Sequence, residues 1–412
     1  MEAILLSHDG VLTIDLIAGA RPNFVKLAPV VHALQKASTL AFRIVHTGQH
    51  YDPAMNDVFF AELDIPRPDV HLEVGSGTHG AQTARILERY EQELMRNRPD
   101  ATVVFGDVNS TVACALAAVK LNVPVAHVEA GLRSFDRTMP EEINRILTDA
   151  ISGLLLTTEA SAAENLRREG VQEEKIRLVG NVMIDTLFAQ LPRAREQHTA
   201  RRLGVDGQRY GLITLHRPSN VDDPAVLLRL FELFEDLSRS LPLVFPMHPR
   251  TQAALASAGI DPGRRADGSG LVVTPPLSYL DNLSVVAGAA VVLTDSGGLQ
   301  EETSVLNVPC LTMRNSTERP VTVEGGTSRL VGNDSTAIRE AFHSAVRGDW
   351  PPASGIPFWD GQSATRIVSE LGRWLRAMHQ TEAGPPSAGA GASPDAGVPR
   401  TTSQQPVIAP VS

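Results

Sequence analysis

A chain of 412 residues is too long for one compact hydrophobic core and fits two domains. Its 42% hydrophobic and 20% charged residues are ordinary for a globular protein, and a formal net charge of -10 argues against bulk binding to nucleic acid or to an anionic membrane. No apolar run approaches the ~20 residues that span a bilayer. Its two cysteines, Cys114 and Cys310, lie in apolar stretches without metal-ligand spacing, so the chain reads as a cytosolic protein of enzyme size with buried free thiols and no metal site.

Residues 1–12 lack the basic start and long apolar core of a signal peptide and read as an extension ahead of the first strand. Short continuous apolar runs follow at 13–18, 42–46, 101–105, 123–128, 153–157 and 176–179. A second series lies at 210–215, 243–246, 271–274, 291–294 and 308–312. Such runs suit strands buried on both faces, and their alternation with helix-period segments predicts parallel sheets. The division near 180–185 predicts two doubly wound α/β domains, 13–181 and 182–360, facing one another. The polar, basic stretch over 190–208 predicts a surface helix early in the second domain. Ile367, Leu371, Trp374 and Leu375 predict a last helix over 363–378, and the Ala, Gly, Pro and Ser of 381–412 predict a disordered tail.

In open parallel sheets, ligands bind where strands end at their carboxyl side. The first predicted strand runs into Gly19-Ala-Arg21-Pro22-Asn23-Phe-Val-Lys26. Pro22 suits a helix's first turn, whose free N–H groups attract an anion, and Arg21 and Lys26 would add cations there. Gly106-Asp107-Val-Asn109 follows the third, where Asp107 also suits a helix cap. Glu129, in Glu129-Ala-Gly131-Leu-Arg133, has no capping pattern behind it and is the stronger acid candidate. Thr138-Met-Pro140-Glu141 fits a capping box, which leaves Glu141 either a structural acid or a catalytic one paired at i,i+4 with Arg145. His216-Arg217-Pro218 ends the first strand of the second series, with His248 a weaker parallel and His127 a core histidine. In Asp295-Ser296-Gly297-Gly298-Leu-Gln-Glu301-Glu302 a strand runs through glycines into a helix, a phosphate cradle. Its two glutamates either complement the helix dipole or hold ribose hydroxyls. Gly75-Ser-Gly77-Thr-His-Gly80 matches a dinucleotide fingerprint in letters only: 69–74 makes a poor buried strand, so the stretch reads as a loop before a helix.

These motifs, with Gly48-Gln-His50 and Thr317-Glu-Arg319-Pro320, occur in an order that resembles the non-hydrolysing UDP-N-acetylglucosamine 2-epimerases over about residues 13–378. The resemblance implies two Rossmann-like domains of the glycosyltransferase-B type around a central cleft, with the final helix returning to the first domain. It implies a UDP-sugar substrate, no nicotinamide or other cofactor, and a homodimer. It also implies reversible C2 epimerisation by elimination of UDP to 2-acetamidoglucal and re-addition. By the same resemblance Asp107, Glu129, Glu141 and His216 are catalytic. Arg21, Lys26 and Arg145 serve the diphosphate, Ser296, Gly297 and Gly298 contact phosphate, Glu302 contacts ribose, and Arg319 makes a further nucleotide contact. Leu277 and Asn282 mark backbone contacts to uracil.

The chain departs from the family pattern in three places. Asn23 replaces a common glutamate, and Pro218-Ser219-Asn220 replaces a common Arg-Glu pair. Gln49-His50-Tyr51-Asp52 replaces a Gln-His-Arg-Gln stretch that helps hold an activating second UDP-GlcNAc, which predicts little activation here. Rival readings are a hydrolysing 2-epimerase, a glycosyltransferase, an epimerase of a UDP-diacetamido uronic sugar, and a non-catalytic nucleotide-sugar-binding protein.

Overall fold

The computed structural model describes residues 11–19, 21–48, 60, 62–260 and 270–382. The first ten residues, the 49–52 segment and the tail from 383 onward lie outside the described residues. The first sheet holds β1 Thr13–Ala18, β2 Ala41–His46, β3 Val70–His71, β4 Ala101–Phe105, β5 Val125–Ala130, β6 Leu154–Thr157 and β7 Ile176–Leu178. Their spatial order is β3-β2-β1-β4-β5-β6-β7. The second holds β8 Gly211–Thr214, β9 Leu243–Pro246, β10 Leu271–Thr274, β11 Val291–Thr294, β12 Cys310–Thr312 and β13 Ser328–Leu330, in the order β10-β9-β8-β11-β12-β13. All described strand pairs are parallel. Both orders are doubly wound, as the apolar runs predicted, with switch points between β1 and β4 and between β8 and β11.

Packing follows from the near-continuous apolar strands. On one face of the first sheet, Leu27, Val30 and Leu34 of helix Arg21–Ala37 meet Ile367, Leu371 and Leu375 of helix Ser363–Glu382. The other face is covered by Ile86, Tyr90 and Leu94 with Ala113, Cys114, Ala115, Ala117 and Ala118. In the second sheet Phe231, Phe234 and Phe342 are wholly buried on one face, and Val285, Val286 and Leu299 cover the other. Full burial of each such side chain contributes roughly 1.5–3 kcal/mol, so both layers are needed to hold each sheet.

The chain crosses between the two units twice. Helix Val182–Glu196 joins them, and its Thr186 hydroxyl donates to the Val25 carbonyl at 2.6 Å. On the return, the Trp359 indole N–H donates to the Thr158 carbonyl at 3.1 Å. Asp185 then accepts from the Ser363 and Ala364 N–H groups at 3.2 and 2.8 Å, satisfying donors at the start of the last helix.

Several expectations are corrected. The 190–208 surface helix is instead the joining helix Val182–Glu196, buried at Val182, Ile184 and Leu187, followed by a single turn at Thr199–Arg202. The apolar run at 123–128 forms a strand two residues later, Val125–Ala130, because Gly153 and Pro124 set the register with β6 and β4. The reading of 69–80 stands: the stretch holds only the two-residue β3, not a buried strand, paired with β2 at Val45 and His46, and the glycines after it run as a loop into helix His79–Arg96. The β13 edge strand carries no long apolar run and escaped the pattern. Thr138 does not cap the helix that follows: it bonds Asp136, Met139 occupies the cap position, and Pro140 opens the first turn.

Candidate active site

The carboxyl ends of β1, β4 and β5 face those of β8 and β11, and the functional side chains converge between them. Asn23 ties the first loop to β4 by donating to the Phe105 carbonyl at 2.9 Å and accepting from the Gly19 N–H at 3.3 Å. That places Lys26, one turn into its helix, in an ion pair with Glu129. Gly106 lets the two meet: at φ +62° its backbone is left-handed, and a Cβ there would lie 2.7 Å from Lys26 Nζ. Glu129 sits at a register break in β5, also left-handed at φ +74°. A non-glycine residue held this way stores strain of the kind that clusters at functional sites.

The other Glu129 oxygen accepts from Arg319 of the second unit at 2.7 Å. Arg319 also pairs with Glu301, and all four side chains are nearly sealed from solvent. Burial pushes the Glu129 carboxyl up, but Lys26 and Arg319 together win and hold it below its ordinary range. Glu301 is raised, by burial first and then by Glu129, against the pull of Arg319. Glu302, buried beside Glu301 with one oxygen unpartnered, is pushed up to about 8, chiefly by burial. Two groups of one chemistry are thus driven apart, an ionised Glu129 and a protonated Glu302.

Asp107 stands beyond β4 and pairs with Arg145, whose other partner is Glu142 at 2.8 Å. Asn144 fixes the same loop by donating to the Asp107 carbonyl at 2.9 Å. Across the cleft, the His216 ring lies 2.8 Å from Asp295. Asp295 is wholly buried and also accepts from the His216 and Arg217 N–H groups at 3.0 and 2.8 Å and from Asn220 at 3.1 Å. Burial pushes Asp295 up, yet this crowd of donors, the His216 ring foremost, holds it below the usual range. Next to it Ser296 precedes helix Gly297–Leu306 without using its hydroxyl as a cap. Gly297 passes so close to Glu318 that a Cβ would lie 2.9 Å from its carboxylate. Between these walls opens a cavity of about 830 Å³, with Glu141, Pro140 and His79 on one side and His216, Arg217 and Arg314 on the other.

The model of the family described as UDP-N-acetylglucosamine 2-epimerase matches residues 32–372. The chain belongs to that family. A UDP-N-acetylglucosamine 2-epimerase of Methanocaldococcus jannaschii is 41% identical over 369 residues, 87% of this chain and 99% of that protein. Its crystal structure with UDP-GlcNAc and UDP superposes with a TM-score of 0.79 at 40% identity, over 87% of this chain and 99% of that one. The S. aureus MnaA–UDP structure gives 0.79 at 29% identity, over 89% and 97%. A Pseudomonas aeruginosa protein 40% identical over 361 residues, 87% of this chain and 98% of that protein, is named UDP-2,3-diacetamido-2,3-dideoxy-D-glucuronate 2-epimerase.

Against the family pattern, the fold brings Lys26, Glu129 and Arg319 into one buried cluster and sets Glu141 and His216 on facing walls of one cavity. Ser296, Gly297, Gly298 and Glu302 lie together on one strand–helix junction. Leu277 packs on the second sheet's core, and Asn282 lies in the first turn of helix Tyr279–Gly288, half-buried. The Arg21 side chain lies outside the described residues. The pair expected between Glu141 and Arg145 does not form: Arg145 turns inward to Asp107 and Glu142, leaving Glu141 to the cavity. Asp107 likewise caps no helix, since Val108 holds that position. Sequence reasoning missed Asp295, Glu142 and Glu301 as partners. A signal existed for Asp295, an acid directly ending a buried strand beside two glycines, as Glu129 was judged. Nothing local marks which of Glu141 and Glu142 turns inward; Glu142 does so to accept the Ser134 and Phe135 N–H groups at 2.9 Å each.

Among the described residues no His, Cys, Asp and Glu group is arranged to hold a metal, and no helix is long and apolar enough to cross a membrane.

Proposed function

We propose that the chain interconverts UDP-N-acetylglucosamine and UDP-N-acetylmannosamine, eliminating UDP to 2-acetamidoglucal and adding it back. The observation that carries this is an ionised carboxylate, Glu129, fixed by Lys26 and Arg319 beside a cleft whose far wall carries a histidine–carboxylate pair. In the forward half a base takes the C2 proton while the C1–O bond breaks, so the electron pair of the C2–H bond becomes the C1–C2 double bond and UDP leaves with its own. In the return half a proton reaches C2 from the other face and a UDP oxygen re-forms the bond to C1. Inversion needs proton transfer on both faces, and the carboxyls to supply it are Glu141 in the cavity wall and Glu129 and Asp107 at the strand ends beside it. Glu129 suits the base, because two cations keep it ionised where burial alone would neutralise it. His216, oriented by Asp295, suits the charge developing on the departing diphosphate, with Lys26, Arg145 and Arg21 in support. The Ser296 hydroxyl and the N–H groups of the helix behind it suit phosphate oxygens, the protonated Glu302 a ribose hydroxyl, and Arg319 a further nucleotide contact.

The unit boundary belongs near 181/182, with the helix from Ser363 serving the first unit; the packing of its Ile367, Leu371 and Leu375 in the first core supports the latter. A cytoplasmic homodimer is part of the same reading, supported by exposed Ile143 and Leu147 one turn apart on the helix that carries Glu141. Arg217 and Arg314 in the cavity wall support a second reading, a sugar bearing a carboxylate such as the one in the name of the P. aeruginosa relative. Incubation with UDP-GlcNAc in deuterated water, followed by proton NMR, tests the choice. UDP-ManNAc deuterated at C2 is expected. Free ManNAc and UDP would place the chain among hydrolysing enzymes, and turnover only of the diacetamido uronate would select the second reading.

A further inference from the structure

Glu159 takes no part in the chemistry above, yet it is almost wholly buried against it. It lies two residues past the end of β6, at the carboxyl end of the first sheet, and its backbone is held by the indole of Trp359 on the neighbouring Thr158 carbonyl. Its carboxyl accepts from the Ser161 hydroxyl at 2.7 Å. The helix it opens, Ala160–Arg168, presses on the chain just past Glu129: a Cβ on Gly131 would collide with the Ala162 carbonyl, and Asn165 donates to the Gly131 carbonyl at 3.0 Å. The charged groups that act on Glu159 are accordingly Arg319, Glu301 and Glu129, with Lys26 behind Glu129.

The pairing in this cluster is already complete without Glu159. Lys26 and Arg319 are its two cations, and Glu129 and Glu301 are the carboxylates in direct contact with them. Arg319 has also a looser contact at 3.8 Å with Glu318, which is served by Arg314 at 2.6 Å. Ionised Glu159 would be a surplus buried negative charge, with the Ser161 hydroxyl and the start of helix Ala160–Arg168 beside it but no ion-pair partner among the described residues. Low-dielectric surroundings do not hold such a charge; the group takes a proton instead. Burial indeed pushes the Glu159 carboxyl up to about 7, with Ser161 and Arg319 opposing and Glu301 and Glu129 adding.

We propose that Glu159 is a positioning residue that remains protonated beneath the cleft, leaving Arg319 to Glu129 and Glu301 and keeping the cluster neutral for an incoming nucleoside diphosphate. When it ionises, a third carboxylate competes for the guanidinium and faces the anion. The inference rests on the reading of this site as a nucleotide-sugar site only in its choice of probe.

Infrared difference spectra and UDP titration test it on the full chain. A protonated carboxyl has its own carbonyl stretch, so the parent at pH 6 minus Glu159→Gln should show one such band. The band should disappear at pH 9 and shift in Ser161→Ala, a variant that leaves the acid in place. UDP affinity, measured by calorimetry, should be alike in parent and Glu159→Gln at pH 6. By pH 8.5 the parent should bind about tenfold more weakly than the variant, the scale of one nearby like charge. Ionisation of UDP and of Glu302 is common to both proteins and cancels in the ratio. Absence of the band, or an affinity ratio that does not change with pH, overturns the proposal. Failure to epimerise any sugar would count against the proposed reaction and leave both of these readouts in force.

Discussion

Replacing Asp295 by asparagine changes one atom pair and tests the histidine that faces the leaving group. The carboxylate accepts from the His216 ring at 2.8 Å, from two main-chain N–H groups and from Asn220, and is wholly buried. Asparagine keeps one oxygen, enough for the main-chain donors and Asn220, but turns an amide that can only donate toward the imidazole. A buried donor facing a donor costs about 1–3 kcal/mol. The loss to catalysis should be larger, because the anion that orients the His216 ring toward the leaving group is gone. Removing one such preorganised electrostatic partner typically lowers kcat by about 10²–10³, or roughly 3–4 kcal/mol. Steady-state turnover of UDP-GlcNAc, with UDP affinity by calorimetry, should show kcat reduced on that scale and UDP binding changed by less than about tenfold. The acid held below its ordinary range contributes stability above its unfolded pKa of 3.8 that is lost as pH falls through the folded value. Parent and variant should therefore converge in thermal stability as the pH is lowered below that range. A variant within threefold of the parent in kcat would refute the role assigned to the pair.

Arg319→Ala leaves Glu129 and Glu301 facing each other in a buried site, so unfolding free energy should fall by about 3–5 kcal/mol, read by denaturant titration; an unchanged midpoint would show that the cluster is not held by this arginine. Gly106→Ala must take a left-handed backbone and place a methyl group 2.7 Å from Lys26 Nζ, which should cost about 1–2 kcal/mol of stability and at least tenfold in kcat/KM. For Glu302 the folded carboxyl, raised from 4.5 to about 8, is favoured below its unfolded pKa and progressively less as pH rises to 8. Glu302→Gln should therefore gain on the parent by about 4 kcal/mol between pH 4.5 and 8.5, at 1.36 kcal/mol per unit; parallel stability curves would refute a protonated Glu302.

The sequence determined the parts whose cause is local. Two series of apolar runs dictate strands buried on both faces, and their alternation with helices leaves only doubly wound parallel sheets, as seen in both orders. Such sheets present their carboxyl ends to ligands, so Lys26, Asp107, Glu129, His216 and Ser296 were legible as candidates from their place after, or late in, an apolar run. What stayed illegible is pairing across the fold. Adjacent Glu141 and Glu142 are equivalent in one dimension, but helix geometry turns one to the cavity and the other to the Ser134 and Phe135 N–H groups. Arg319 and Glu129 stand 190 residues apart, and only the approach of the two units joins them. The same approach fixes which acids are ionised, because a carboxyl's charge depends on the cations and the water around it, and burial removes the water. Glu129 and Glu302 are alike as letters; the tertiary structure gives one two cations and the other none.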